Sequence, residues 1–164
     1  MSSSVPQIEV GRTEGLVDVH LLGLPVAVHQ LATEHADELK REFALLRVQQ
    51  ADEETPDVPA RLLDLMDSLE QRFSGFTDAT QSELDAAIDE GRERIDLVFR
   101  VPPEVKEGVQ QLEALLDEAD AFCRSGTSLL TLAAPPAAIA YRTWYLGEFA
   151  RQAEGEPATP WPGF

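Results

Sequence analysis

The chain has 164 residues, enough for one domain that withdraws roughly two-thirds of its unfolded surface from water. Hydrophobic residues make up 43% and charged residues 26%, and no apolar run approaches the ~20 residues of a bilayer span, so the composition speaks against a disordered chain and against a membrane protein. With 30 Asp and Glu against 13 Lys and Arg, the formal charge is -17, which disfavours nucleic acid and anionic membranes as partners, since both are held through Lys and Arg.

The opening residues, MSSSVPQIEVGRTEG, have neither the basic n-region nor the apolar h-region of a signal peptide, so residues 1–15 read as a flexible N-terminal segment and the protein as cytoplasmic. Residues 16–24, LVDVHLLGL, alternate imperfectly and predict a short extended lead-in. Pro25 suits a first helical turn, and the helix is expected to run to about Gln50, where ADEETPDVP breaks it. Val28, Ala32, His35, Leu39, Phe43 and Leu46 recur every three or four residues along it, the repeat of one apolar face. His35 therefore lies inside the stripe, and Leu31, His35, Leu39 and Phe43 are expected to build the core or a helix interface.

A second helix is predicted after Asp57, with Pro59 in its first turn and Leu62, Leu65, Leu69 and Phe73 on its apolar face, ending at Ser74-Gly75. A third is expected from Thr77 or Thr80, where Thr80 and Glu83 have capping-box spacing, carrying Leu84, Ile88 and Ile95 past an interruption at Gly91. Residues 51–100 hold the densest acidic excess, 14 acids against 5 arginines, which reads as a solvated surface.

After VFRVPP comes the cleanest helical rhythm, through Val105, Val109, Leu112, Leu116, Ala119 and Phe122 or Cys123. Arg124 complements the negative end of that helix and Gly126 stops it. Cys123, the single cysteine, has no partner for an internal disulfide and reads as a small buried hydrophobe. SLLTLAA reads as extended or irregular chain, and Pro135-Pro136 opens a last helix with Tyr141, Trp144, Tyr145 and Phe149 on one side. The tail, residues 155–164, is Pro-rich and flexible unless Trp161 docks. The expected fold is all-α, an antiparallel four- to five-helix bundle with short extended lead-in segments, one domain over residues 16–154. A homodimer stays open.

Catalytic signatures are missing: no P-loop, no G-x-G-x-x-G, no G-x-S-x-G and no H-E-x-x-H. The expectation is a protein that is not an enzyme and uses no cofactor. A bundle metal site would take Glu-x-x-His ligands, but His35 and Glu38 stand in the reverse order. His29 lies six residues earlier, about 240° around the axis, and His20 precedes the helix, so no metal is expected.

Histidine phosphotransfer is the chemical alternative, with His35 as phosphoacceptor and Lys40 nearby. Asp37 and Glu38 would repel a phosphoryl group, and Arg41 stands where those domains usually carry glycine. A histidine flanked by Ala32, Leu39 and Phe43 is more often a bonded core residue. The aromatic C-terminal helix supplies the candidates for partner contact, Arg142, Trp144, Tyr145 and Trp161, because Trp, Tyr and Arg dominate interface hot spots. A small-molecule sensor is a third reading.

The strings LLGLPVAVHQLATEHADELKREFALL, FRVPPEV, LLTLAAPPAAIAYRTWYLGEF and TPWP resemble a family of small actinobacterial helical proteins. That family accompanies stress-signalling partner-switching modules: SpoIIE-type phosphatases, anti-sigma-factor ATP-binding kinases and STAS-domain antagonists. The resemblance covers nearly the whole chain. It implies a non-enzymatic regulatory or protein-interaction module in bacterial stress signalling, with a kinase, a phosphatase or a STAS protein as partner and the chemistry carried by that partner.

Overall fold

Two segments of the chain follow a period of two and pair with each other in the computed structural model, which describes residues 15–49, 58–125 and 134–163. Strand β1 (Val17–Pro25) is the expected extended lead-in, and strand β2 (Arg94–Val101) runs antiparallel to it, with Val17 opposite Val101 and Leu21 opposite Leu97. Ile95, Leu97, Phe99 and Val101 are buried while Arg94, Asp96, Val98 and Arg100 face out, the alternation of a ribbon with one covered face. On the open face Asp18 and Arg100 sit directly opposite each other and form an ion pair at 2.9 Å. The register shifts between Leu21 and Leu24, where the Gly23 N–H donates to Asp96 Oδ1 at 2.7 Å.

The fold is therefore not purely all-α. Among the described residues it consists of four helices and this two-stranded sheet. Ile95, expected on a helix, belongs to β2, because RIDLVFRV alternates strictly and no longer keeps the three-to-four spacing that ends at Ile88.

Helix α1 (Val26–Gln49) leaves β1 without a loop, its first N–H donating to the Glu93 carbonyl at 3.0 Å. Leu39 and Phe43 are buried as expected, whereas Leu31 is 40% exposed, since it lies outside the 28-32-35-39-43 face. Helix α2 (Val58–Asp89) is one continuous helix where two were expected. Ser74-Gly75 does not end it, because Leu69, Phe73, Thr77, Thr80 and Leu84 stay in one helical phase across the pair while Gly75 faces solvent. Thr80 is accordingly no cap. Its hydroxyl donates to the Val98 carbonyl at 2.8 Å and ties α2 to β2.

Gly91 ends α2. It takes φ +73°, its N–H donates to the Ile88 carbonyl, and the Arg92 N–H donates to that of Ala87, a Schellman closure that needs the left-handed region. Helix α3 (Val105–Ser125) carries the expected stripe, with Val105, Val109, Ala119 and Cys123 buried. Helix α4 (Pro136–Ala153) begins after Pro135, whose extended backbone and missing donor suit that position, and closes at Gly155 in the same Schellman pattern.

The helices form a ring in which α1 and α3 each pack against α2 and α4, while α4 covers β1 and α2 covers β2. Exposed ion pairs join successive helices near opposite ends, Arg47 with Asp64, Arg61 with Glu118 and Lys106 with Glu154, as antiparallel neighbours require. One core cluster joins the ribbon to α4 and the adjoining ends of α2 and α3. A second, around Leu39, Phe43, Leu62, Leu63, Ala119 and Cys123, fills the far end of the bundle.

The Pro-rich tail is docked on this body. Trp161 is 8% exposed, and its N–H donates to the Leu22 carbonyl of β1 at 3.0 Å. The Thr159 N–H donates to the buried Glu148 Oε1 at 2.8 Å, and Trp144 Nε1–H donates to the Thr159 carbonyl at 2.8 Å. The expectations for residues 1–14, for Gly126 and for residues 128–133 lie outside the described residues. No described helix is long and apolar enough to cross a membrane.

Candidate functional site

Four helices converge on a cleft of about 270 Å³ midway along the bundle. Helix α1 contributes His29, Ala32, Thr33 and Ala36, residues spaced so that they share one face, and the two alanines leave the room. Met66 of α2 and Leu112 and Leu116 of α3 form an apolar floor. Tyr141, Arg142, Tyr145 and Leu146 of α4 close the opposite wall. On the other side of Tyr145 and Leu146 lies a second cleft of about 290 Å³, bounded by Leu69, Phe73, Val105 and Phe149.

One polar handle of the site is a histidine-tyrosine pair. His29 Nδ1 and the Tyr141 hydroxyl are 2.8 Å apart, with the rings edge-on at 5.7 Å. Thr33 Oγ1 lies 3.4 Å from His29 Nε2. With the Tyr141 hydroxyl donating to Nδ1, the proton sits on Nε2 and both contacts are satisfied. Burial pushes the His29 pKa below its ordinary 6.5, against an opposing pull from Asp85. Burial likewise drives the Tyr141 hydroxyl well above the usual phenol range, and the neighbouring Tyr145 hydroxyl up to about 12. At neutral pH the pair is neutral, and it offers hydrogen bonds without ionic charge.

The second handle is Arg142. One terminal nitrogen donates to Asp120 Oδ2 at 2.6 Å and to Asp117 Oδ1 at 2.8 Å, with the Arg142 side chain 13% exposed and that of Asp120 5%. Its Nε is buried and has no hydrogen-bond partner among the described residues.

Of the four residues expected to contact a partner, Arg142 and Tyr145 meet at the cleft and the two tryptophans do not. Trp144 and Trp161 are buried behind Tyr141, their rings 5.5 Å apart and 6.0 and 5.9 Å from the tyrosine. They join the cleft to the docked tail, where surface contact would require exposed rings. His35 lies further along α1, half-buried and outside the cleft lining, with its Nε2 buried and unpartnered among the described residues. Burial lowers its pKa, while Asp120 and Glu38 pull the other way.

Sequence reasoning weighed His29 only as a metal ligand and missed its pairing with Tyr141. The signal available was the 29-32-33-36 face, where two alanines alternate with two polar side chains on an otherwise apolar helix side. Among the described residues no group of three His, Cys, Asp or Glu side chains is arranged to hold a metal ion.

No family model, curated protein or solved structure matches the chain. The reading of the site rests on its geometry: an apolar cleft edged by a neutral histidine-tyrosine pair and by an arginine paired with two carboxylates.

Proposed function

We propose that the protein is a cytoplasmic regulatory module of bacterial signal transduction that senses a small apolar molecule. In this reading it carries no catalytic step of its own and passes the state of the cleft to a protein partner, a kinase, a phosphatase or a STAS protein. The observation that carries the reading is the cleft itself, since one ligand there touches all four helices and can bias how they pack. Tyr141 offers the route outward, because the same ring lines the cleft and meets Trp161 of the tail edge-on. The resemblance of the sequence to proteins of partner-switching modules supports the signalling context.

Phosphotransfer through His35 has less support. The Nε2 atom that would meet an aspartyl phosphate is buried, and Asp120 and Glu38 stand near it. The sensor reading is tested by thermal shift against a panel of neutral apolar fragments, with Ala36→Phe as the control that fills the cleft. Fragments that stabilise the native protein and leave the control unmoved support it; a panel without any such fragment refutes it.

A further inference from the structure

The sensor reading, on which this inference rests, concerns one cleft, and the fold lays a second beside it. The first, of about 270 Å³, and the second, of about 290 Å³, share Tyr145 and Leu146 of α4. Beneath both runs the seam between α2 and α3. On α3, Val105 and Val109 line the second cleft and Leu112 and Leu116 the first, four positions of one helical stripe. On α2, Met66 lines the first and Leu69 and Phe73 the second, again at three-to-four spacing. The two helices are pressed together here: a Cβ added at Gly108 would lie 2.7 Å from Leu69 Cδ2.

This path has the shape of a chain. From Val105 to Leu116 the stripe rises about 16 Å along the helix axis. A compact ring system is taken up by one cleft alone, since an apolar cavity of about 150 Å³ already holds a benzene. A linear alkyl chain is narrow enough to follow the stripe past Tyr145 and Leu146, and it buries apolar surface in both clefts.

Charge selects the head group. The second cleft is edged by the polar side of α2, Glu70, Ser74, Thr77 and Asp78, and no Lys or Arg is among its described lining residues. At the first cleft His29 and Tyr141 are neutral, and Arg142 is matched by Asp117 and Asp120. An anionic head would face two carboxylates at the second cleft and find no unmatched cation at the first, on a chain of formal charge -17. An ammonium beside Glu70 and Asp78 is attracted instead.

We propose that the two clefts together bind a linear alkylammonium, its chain lying along the seam of α2 and α3 past Tyr145 and Leu146 and its head group beside Glu70 and Asp78.

Four probes test this on the full-length protein by titration calorimetry at about 0.15 M salt, where distant charges are screened: hexylammonium, decylammonium, decanol and decanoate. Each buried methylene is worth roughly fourfold in affinity, so decylammonium is expected to bind roughly a hundredfold more tightly than hexylammonium. It is expected to bind about five- to tenfold more tightly than decanoate, and Glu70→Gln with Asp78→Asn should remove most of that preference while decanol's affinity holds. Ala36→Phe fills the first cleft and Thr77→Phe the second, and either alone is expected to bring decylammonium close to the affinity of hexylammonium. If the hexyl and decyl chains bind alike, or a filled cleft leaves the decyl probe unmoved, the ligand occupies one cleft, and the proposal fails while the sensor reading survives. If ammonium and carboxylate bind alike, the head group is wrongly assigned and the proposal is overturned in the same way. If no alkyl probe binds but neutral ring fragments still stabilise the native protein, the sensor reading stands alone; if neither binds, both fail.

Discussion

Gln152 holds both backbone groups of His20 with a single amide: its Nε2 donates to the His20 carbonyl at 2.9 Å and its Oε1 accepts from the His20 N–H at 2.8 Å. The side chain stands in for the next strand of the sheet, closing an edge of β1 that would otherwise need water or another chain. Its Nε2 also donates to the buried Glu148 at 2.9 Å. Gln152→Leu is therefore expected to cost about 2–4 kcal/mol in urea denaturation, since it strands two backbone groups and weakens the support of a carboxylate. Gln152→Glu keeps the shape but loses the donor and sets a second acid beside Glu148. A change of under 0.5 kcal/mol in Gln152→Leu would show that the edge is solvated.

Trp161 belongs to the core, and its removal should behave as a core truncation. Trp161→Ala is expected to cost about 3–5 kcal/mol and to shift the emission of the remaining Trp144 to longer wavelength, as water reaches the face that Trp161 covers. Unchanged emission would mean that Trp144 is shielded by its own helix.

The continuity of α2 has a simple test. An added Cβ at Gly75 meets nothing within 4 Å, and the residue sits mid-helix on the exposed side, so Gly75→Ala should raise stability by about 0.5–1 kcal/mol. Gly91→Ala should do the opposite, because φ +73° is strained for any residue with a side chain. Destabilisation by Gly75→Ala would restore the break between two helices.

Acid should weaken the protein through His29 and His35. Burial is the first cause of the lowered pKa of each, so the folded state holds them neutral while the unfolded chain takes up protons near pH 6.5. Their contribution is complete above that pH and is lost as the pH falls through the lower folded values. Comparing Tm at pH 7.5 and pH 5 between the native chain and His29→Gln or His35→Gln isolates these groups from the carboxylates. The variants are expected to lose less on acidification; an identical loss would mean that neither histidine is held neutral.

The two classes of ion pair should separate by burial. Asp120→Ala leaves Arg142 without its buried partner and is expected to cost about 3–5 kcal/mol. Asp64→Ala, which frees an Arg47 whose side chain is 43% exposed, should cost under about 1 kcal/mol. Chemical denaturation of the two variants at one salt concentration compares them directly.

The helices with a single uninterrupted stripe, α1 and α3, were legible in the sequence because three-to-four spacing is a local property. Two of the departures lay where a local stop signal competed with a longer phase. Ser74-Gly75 has the composition of a break, yet Phe73 and Thr80 are seven residues apart and face the same way, and packing along that face outweighs one glycine. Ile95 extends a helical count only if Leu97, Phe99 and Val101 are ignored. At the site, the aromatic run of α4 pointed to Arg142 and Tyr145. The partner of Tyr141 did not show, because helical periodicity tells which face is apolar and not which helix lies across from it. The docking of Trp161 was hidden for a related reason: its tail is held by Glu148, Trp144 and the backbone of β1, none of which announces a ligand in the form of a tail.

The dependence of β1 on Gln152 and Trp161 also sets the order in which this protein can be completed during synthesis. VDVHLLGLP is made well before its pairing partner, which begins at Arg94, and its other edge is closed only by residues near 152 and 161. Until β2 has been made both edges of this apolar strand are open, and until Gln152 and Trp161 follow one edge still is, so a stalled or truncated product exposes a site for aggregation.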